Sequence, residues 1–167
     1  MSASCGNNRR RNVTIRNRQR ARAVNVRQLK RIATAVLADH LGVTEFRLNI
    51  CLVGGREIAR LNEVYLRHQG STDVLAFDYR DSARPGALFG EIFVCVDEAS
   101  VQARRFRTTW QAELVRYIVH GLLHLCGYDD RRTRRREKMK RVENRLLKLV
   151  SSQLSLRTVA ARPANSP

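Results

Sequence analysis

The segment VHGLLHLCGYDD, residues 119 to 130, has the strongest consequences for the fold. Between Val119 and Cys126, every residue other than two histidines is apolar or glycine, which predicts a buried helix. His120 and His124 are four residues apart, so a helix places both imidazoles on one face, with Cβ atoms about 5–6 Å apart. Two such rings can bind one Zn²⁺ at Zn–N distances of about 2.0–2.1 Å. The pair is therefore a candidate metal site.

The residues after the predicted helix can complete this site. Gly127 favours the left-handed conformation that ends a helix, and the chain can then fold back to bring Asp129 or Asp130 towards the histidines. Two imidazoles and one carboxylate leave the fourth position of a tetrahedral zinc for water, as in catalytic sites. The alternative is a pair of core histidines bonded to the backbone. The metalloprotease motif H-E-x-x-H is absent, which disfavours peptide hydrolysis.

The charge of the chain favours an RNA partner. Lys and Arg total 32 against 15 acidic residues, so the net charge is +17. No acid precedes Asp39, although that part is rich in arginine, and only Glu137 and Glu143 offset the basic cluster at residues 131 to 148. Arginine suits bidentate contacts with phosphate. Two separate Arg-rich blocks therefore indicate nucleic acid, particularly RNA, more than a surface that is only solubilising.

Apolar runs and cysteines restrict the location of the chain. No apolar run approaches the roughly 20 residues that span a bilayer, so we do not expect a membrane protein. Cys5, Cys51, Cys95 and Cys126 lie far apart and form no C-x-x-C pair, which predicts free thiols in a reducing compartment, the cytoplasm. An Arg-rich, acid-free start is also typical of a mitochondrial transit peptide, but the alternating segment 12 to 17 favours a first strand instead.

Hydrophobic periodicity predicts an α+β fold in which a small mixed β-sheet of about four strands is covered by about five helices. We expect a single domain at residues 12 to 155, with disordered tails at 1 to 11 and 156 to 167. Asp97 is expected to cap the third helix, and Thr108 or Thr109 the fourth. Strands are predicted at 12–17, 46–53, 72–77 and 88–96, and helices at 26–41, after Gly54-Gly55, and at 97–107, 110–126 and 133–154.

Three separated segments keep the order of one family's motifs. HGLLHLCGYDD at 120 to 130 is similar to H-G-x-L-H-L-x-G-Y-D-H, and LNEVYLRHQGSTDVLAF at 61 to 77 to L-N-x-x-Y-R-x-x-x-x-P-T-D-V-L-S-F. FGEIFVCVDEA at 89 to 99 is similar to L-G-D-I-x-I-S-x-D-x-A. These are motifs of the YbeY endoribonucleases, bacterial zinc-dependent enzymes of ribosomal RNA maturation. The resemblance covers roughly residues 12 to 150.

The resemblance implies three zinc ligands, His120, His124 and Asp130, and a catalytic role for the two histidines. The family's third ligand is a histidine, whereas this chain has an aspartate. A carboxylate oxygen can bind Zn²⁺ at about 2.0–2.2 Å, so the site can persist with a weaker Lewis acid. Asp129 matches the family's aspartate and is expected to shape the turn or to support a ligand.

A second departure concerns the arginine that follows the family's tyrosine and serves the RNA-cleaving cleft. Leu66 stands at that position, and Arg67 comes next. Adjacent helical residues point about 100° apart, so Arg67 can take over a catalytic role only if the helix ends there. Otherwise Arg67 is a solvated surface arginine. Thr72 and Asp73 match the family and are expected to line the cleft or to bond at the sheet edge.

The resemblance implies a zinc-dependent, single-strand-specific endoribonuclease with one Zn²⁺ per chain. Its expected substrate is precursor ribosomal RNA, at the 3′ end of 16S RNA, within ribosome biogenesis and quality control. Ribosomal proteins and the small ribosomal subunit are further candidate partners. The alternative is a non-catalytic assembly factor that binds ribosomal RNA and is stabilised by zinc, which Leu66 at the arginine position favours. A metallohydrolase of small substrates does not account for the charge of +17.

Overall fold

The computed structural model describes residues 10–161 and has a four-stranded mixed sheet and five α-helices, which confirms the predicted α+β fold. A π-helical turn at Val36–His40 follows the first helix, and a 3₁₀ turn at Leu156–Val159 follows the last. The strands are β1 (Arg11–Asn17), β2 (Phe46–Val53), β3 (Val74–Asp78) and β4 (Leu88–Cys95). The helices are α1 (Val26–Ala35), α2 (Gly55–Leu66), α3 (Val96–Phe106), α4 (Trp110–Leu125) and α5 (Thr133–Gln153).

The strands lie in the order β1-β2-β4-β3. β1, β2 and β4 are parallel, and β3 pairs antiparallel with β4 at the edge of the sheet. Parallel neighbours require a crossover, which α1 supplies between β1 and β2. β2 is central and almost continuously buried, because helices cover both faces of the sheet at its carboxyl end.

Alternate residues of the central strands belong to two apolar clusters, one on each face of the sheet. Leu48, Ile50 and Leu52 of β2 belong to the main core, which also contains the buried faces of α1, α4 and α5. Cys51 and Val53 point to the opposite face, where a smaller cluster includes Ile58 of α2 and Phe93 of β4. The main core therefore supports α4, the helix that carries the histidine pair.

Two predicted helix caps have different outcomes. Thr109 caps α4, and its hydroxyl accepts a hydrogen bond from the N–H of Ala112 at 3.2 Å, as predicted. The prediction that Asp97 caps the third helix is wrong, because α3 already begins at Val96 and Asp97 lies within its first turn. The Asp97 carboxylate instead accepts the N–H of Gly55 at 2.7 Å. It binds the positive end of α2, where a negative charge is favoured.

The prediction of an unstructured tail from residue 156 is wrong for residues 156 to 161. Val159 is fully buried, and its carbonyl accepts the N–H of Asn25 at 2.8 Å. Ala160 forms a β-bridge with Val24. Apolar contact and backbone bonding thus hold this segment against the start of α1. The remaining parts of both predicted tails, residues 1 to 9 and 162 to 167, lie outside the described residues.

The cysteines within the described residues form no disulfide. Cys51, Cys95 and Cys126 are free thiols, and the first two are buried. Cys5 lies outside the described residues. No helix between residues 10 and 161 combines the length and the apolar character needed to cross a membrane.

Candidate metal centre

α4 lies so close to the sheet that one of its positions requires glycine. A Cβ atom on Gly121 would lie 2.8 Å from Cγ2 of Ile92 on β4 and 3.1 Å from Cγ2 of Val74 on β3. This close approach holds the middle of α4 in place. The neighbouring His120 and, one turn later, His124 have side chains that are 23% and 29% exposed. The histidine pair thus stands on a rigid support and remains accessible.

The two imidazoles and one carboxylate converge, as the spacing predicted. The Nε2 atoms of His120 and His124 are 3.0 Å apart. Oδ2 of Asp130 lies 3.8 Å from each of these nitrogens. One ligand atom from each of the three residues lies within 4.8 Å of the others.

The turn after α4 brings the carboxylate back to the histidines. Gly127 has a left-handed φ of +88°, as predicted for the residue after the helix end. Its N–H donates to the carbonyl of His124 at 2.9 Å, and the N–H of Tyr128 donates to the carbonyl of Leu123 at 3.0 Å. These two bonds reverse the chain direction, so that Asp130 lies beside the rings.

Asp129 stabilises this turn and stands outside the three-residue group. Its carboxylate accepts the N–H of Arg131 at 3.0 Å and the guanidinium of Arg135 at 3.0 Å. These two bonds hold the pKa of Asp129 below its ordinary value. Of the two alternatives from the sequence, Asp130 is therefore the one whose carboxylate is near both rings.

Hydrogen bonds at the Nδ1 atoms determine which ring nitrogens face the centre as acceptors. Nδ1 of His124 donates to the carbonyl of Tyr128 at 3.2 Å, because a carbonyl can only accept. Nδ1 of His120 donates to the Oε2 atom of Glu143 at 2.9 Å. In neutral rings both Nε2 atoms then carry lone pairs, and these face each other and Asp130. Two nitrogens and one oxygen arranged in this way fit a cation between them, and the set suits Zn²⁺.

Charges around the rings move their pKa values in opposite directions. Burial lowers the pKa of His120, but the hydrogen bond and the negative charge of Glu143 outweigh burial and leave that pKa raised. Burial and the nearby His120 lower the pKa of His124. Burial raises the pKa of Glu143, but its bonds to His120 and Arg116 outweigh burial and leave that pKa lowered. Glu143 is therefore an ionised partner of the first histidine.

A cavity of about 510 Å³ opens beside His120, between α4 and α5. This volume is within the range of small-ligand sites, roughly 300–1,000 Å³. Asp73 lines the cavity, and its carboxylate accepts the N–H of Val74 at 2.9 Å at the start of β3. The wall also contains three cationic side chains, which suit phosphate groups: Arg116, Arg136 and Lys140.

Comparison with known proteins identifies the family. The family model described as endoribonuclease YbeY matches residues 14–151. The chain belongs to the YbeY family. The endoribonuclease YbeY of Salinibacter ruber is 36% identical over 120 residues, 68% of this chain and 76% of that protein. The relative with the same name from Chlorobium phaeovibrioides is 32% identical over 134 residues, 80% of this chain and 88% of that protein.

A solved structure supports the shared fold. The solution structure of a Thermotoga maritima protein aligns with a TM-score of 0.57 and 24% identity, over 92% of this chain and 99% of that one. At 24% sequence identity this match supports a shared fold and no conclusion about function. The solved structure therefore supports the fold described above for this YbeY-family chain.

The position that carries arginine in the YbeY motif differs in this chain. α2 ends at Leu66, which is 49% exposed. Arg67 follows as a left-handed C-cap with φ of +55°, so the helix does end where the sequence argument required. The Arg67 side chain is exposed, forms no hydrogen bond or ion pair within residues 10–161, and is not among the residues lining the cavity beside His120. Its catalytic role stays a prediction.

Glu143 is the site residue that sequence reasoning missed. On α5, Leu149 is exposed although it is apolar, whereas Glu143 is buried although it is charged. The signal was an acid at core spacing, since the residues of α5 that are buried are Met139, Glu143, Leu146 and Val150. A buried carboxylate requires partners. Its partners are His120 on α4 and Arg116, whose Nη1 donates at 2.8 Å.

Proposed function

We propose that this YbeY-family chain is a zinc-dependent, single-strand-specific endoribonuclease of ribosomal RNA maturation, with His120, His124 and Asp130 as the ligands of one Zn²⁺. One observation carries the proposal. The lone pairs of two Nε2 atoms, 3.0 Å apart, point at a space that a carboxylate oxygen also faces. The relatives that match the chain are named endoribonucleases, which supports RNA as the substrate.

Each residue of the centre has a distinct task in this proposal. His120 and His124 offer Nε2, because their Nδ1 atoms are already bonded to Glu143 and Tyr128. Asp130 adds a negative oxygen where the family pattern has a neutral histidine. A bound Zn²⁺ supplies a Lewis acid and lowers the pKa of a bound water. Glu143 holds the ring of His120 in one orientation.

The cationic wall of the cavity supports a phosphodiester substrate. Arg136 and Lys140 of α5 line the space beside His120 and can hold phosphate oxygens during cleavage. Arg67, the left-handed cap of α2, is proposed as a further phosphate contact, since its exposed guanidinium has no partner among the described residues. The proposed RNA is the precursor of the 3′ end of 16S RNA, with ribosomal proteins as further partners.

The proposed compartment is the cytoplasm. Cys51, Cys95 and Cys126 are free thiols within the described part of the chain, as a reducing environment maintains them. We propose a single domain that begins near residue 12, which the family match over residues 14–151 supports; the buried Val159 favours a domain end a few residues after 155.

Metal content and RNA cleavage, measured on the same preparations, test the proposal. His120→Ala, His124→Ala and Asp130→Asn are expected to lose bound zinc and cleavage of a synthetic single-stranded RNA together. His40→Ala is the matched control, because it removes a histidine that lies outside the three-residue group. Thermal unfolding verifies that each variant is folded. Zinc retained undiminished in Asp130→Asn, or cleavage that persists in metal-free protein, contradicts the proposal.

A non-catalytic assembly factor is the second candidate, and Leu66 is the observation in its favour. A half-exposed leucine stands where the motif has a cleft arginine. In that case zinc would stabilise the end of α4 and the turn at Gly127 and would take no part in RNA cleavage. Tight RNA binding by the zinc-loaded chain, with no cleavage and no response to Leu66→Arg, would support this candidate over the enzyme.

A further inference from the structure

The side of α5 that faces away from the core carries a straight row of cations. Buried residues of α5 recur at spacings of four, three and four. A second set of residues recurs at spacings of four, three, four and three, and at 100° per residue it lies on the opposite side of the helix. This set, called the outer stripe, consists of Arg134, Lys138, Arg141, Arg145 and Lys148.

Most charges of the outer stripe have no acidic neighbour on α5, and the exception is Glu137, which lies three residues after Arg134 and four before Arg141. All members of the outer stripe are exposed, and none forms an ion pair within residues 10–161. Glu137 is the one exposed acid on α5, since Glu143 is buried against His120. Like charges three or four residues apart on a helix repel each other. A face that serves solubility alone alternates acids and bases, so this arrangement indicates an external polyanion.

The dimensions of the outer stripe fit a nucleic-acid backbone. From Arg134 to Lys148 the helix rises about 21 Å, at 1.5 Å per residue. A single strand carries one phosphate per nucleotide, so five cations spread over this length can contact several successive phosphates. α5 contains no aromatic residue, and Leu149 is its one large exposed apolar side chain, whereas the centre of a protein interface is enriched in aromatic anchors. Backbone phosphates therefore match it better than a protein partner.

We propose that the outer stripe binds the sugar–phosphate backbone of single-stranded RNA, without sequence preference, outside the metal centre. α5 connects the two places, because Arg136 and Lys140 on its adjacent side line the cavity beside His120. RNA that enters the cavity can thus continue across the outer face of the same helix. The choice of RNA over other polyanions rests on the proposed function, but the binding surface itself does not depend on cleavage.

Salt-dependent binding of a stripe variant tests this proposal. The full-length protein carries Lys138→Gln, Arg141→Gln and Arg145→Gln, and the probe is a fluorescent 20-nucleotide oligouridylate, 2′-O-methylated and checked for integrity after titration. Each phosphate contact to a single strand contributes about 0.7 to the slope of log affinity against log salt. Three lost contacts reduce the slope by about 2. Between 50 and 200 mM salt the wild type then loses about 20-fold more affinity than the variant.

A control variant separates the stripe from a general effect of net charge. Arg47→Gln, Arg56→Gln and Arg60→Gln remove three positive charges from exposed positions of β2 and α2, outside both Arg-rich blocks. This control is expected to retain the slope of the wild type. Equal slopes in the stripe variant and the wild type, or equal losses in the stripe and control variants, overturn the proposal. Circular dichroism verifies the fold of both variants, and the binding result stands whether or not the chain cleaves RNA.

Discussion

Glu143→Gln is the substitution that tests most directly how this centre is built. The two carboxylate oxygens of Glu143 accept one hydrogen bond each, from Nδ1 of His120 at 2.9 Å and from Nη1 of Arg116 at 2.8 Å. Glutamine has almost the same shape but only one acceptor oxygen, and its amide group would face the other donor. The variant therefore loses one bond and the negative charge, while the volume of the buried side chain is preserved.

The expected losses of metal affinity and of stability are of similar size. Removal of the partner that orients a metal-binding histidine typically weakens metal binding about 10–100-fold, or about 1.4–2.8 kcal/mol. A hydrogen bond to a charged group contributes about 1.5–3 kcal/mol to folding. Arg116 is 37% exposed and also contacts Asn144 at 3.1 Å, so water and that amide replace part of the lost bond. We therefore expect the free energy of unfolding to fall by about 1.5 kcal/mol, the lower end of this range.

Competition with a chromophoric chelator measures the zinc affinity, and urea denaturation of the metal-free protein measures the stability. Glu137→Gln is the matched control, because it makes the same change at an exposed position of α5. The control is expected to match the wild type in both assays. A folded Glu143→Gln protein whose zinc dissociation constant stays within twofold of the wild type would refute the orienting role of Glu143.

Three further predictions concern the donor set, the packing of α4 and a buried thiol. Asp130→His removes one negative charge from the donors, so the pH of half-maximal RNA cleavage should fall, and an unchanged or higher value contradicts this. Gly121→Ala places a Cβ 2.8 Å from Ile92 and should cost about 1–3 kcal/mol in urea denaturation; wild-type stability would show that the helix can shift freely. Burial and the nearby Glu91 raise the pKa of Cys51 to about 11, so a thiol reagent at pH 8 should label it only after unfolding. Because this pKa is raised, the associated stability is complete below about pH 9 and is lost as the pH rises through about 11.

Local periodicity was sufficient to predict the helices and strands and the histidine pair of the candidate metal site. An α-helix places residues four apart on one face whatever surrounds it, so the approach of the His120 and His124 rings followed from their spacing. The turn at Gly127 also followed from a local rule, since glycine has little cost in the left-handed conformation. The order of strands and helices was predicted for the same reason, although several boundaries differ by one or two residues.

Contacts between segments that are distant in the sequence could be identified only from the tertiary structure. Residue spacing left Asp129 and Asp130 as alternatives and the family resemblance favoured Asp130, but only the path of the turn showed which carboxylate lies beside the rings. Asp97 looked like a helix cap but bonds to Gly55, 42 residues earlier, because α2 and α3 meet at that edge. The segment ending at Val159 looked like a tail because its burial depends on the start of α1.

Glu143 shows most clearly the difference between what the sequence predicts and what the tertiary packing adds. In the sequence it was one of two acids within a basic helix; its spacing from Met139, Leu146 and Val150 indicated burial, unlike that of Glu137, but did not indicate its partners. Its role arises because α5 packs beside α4 and brings the carboxylate to His120, 23 residues away. Sequence by itself determined which rings can share an ion, because that depends on helix geometry alone. Only the packing of the helices decided which charge orients a ring, because that depends on a distance between two separate elements.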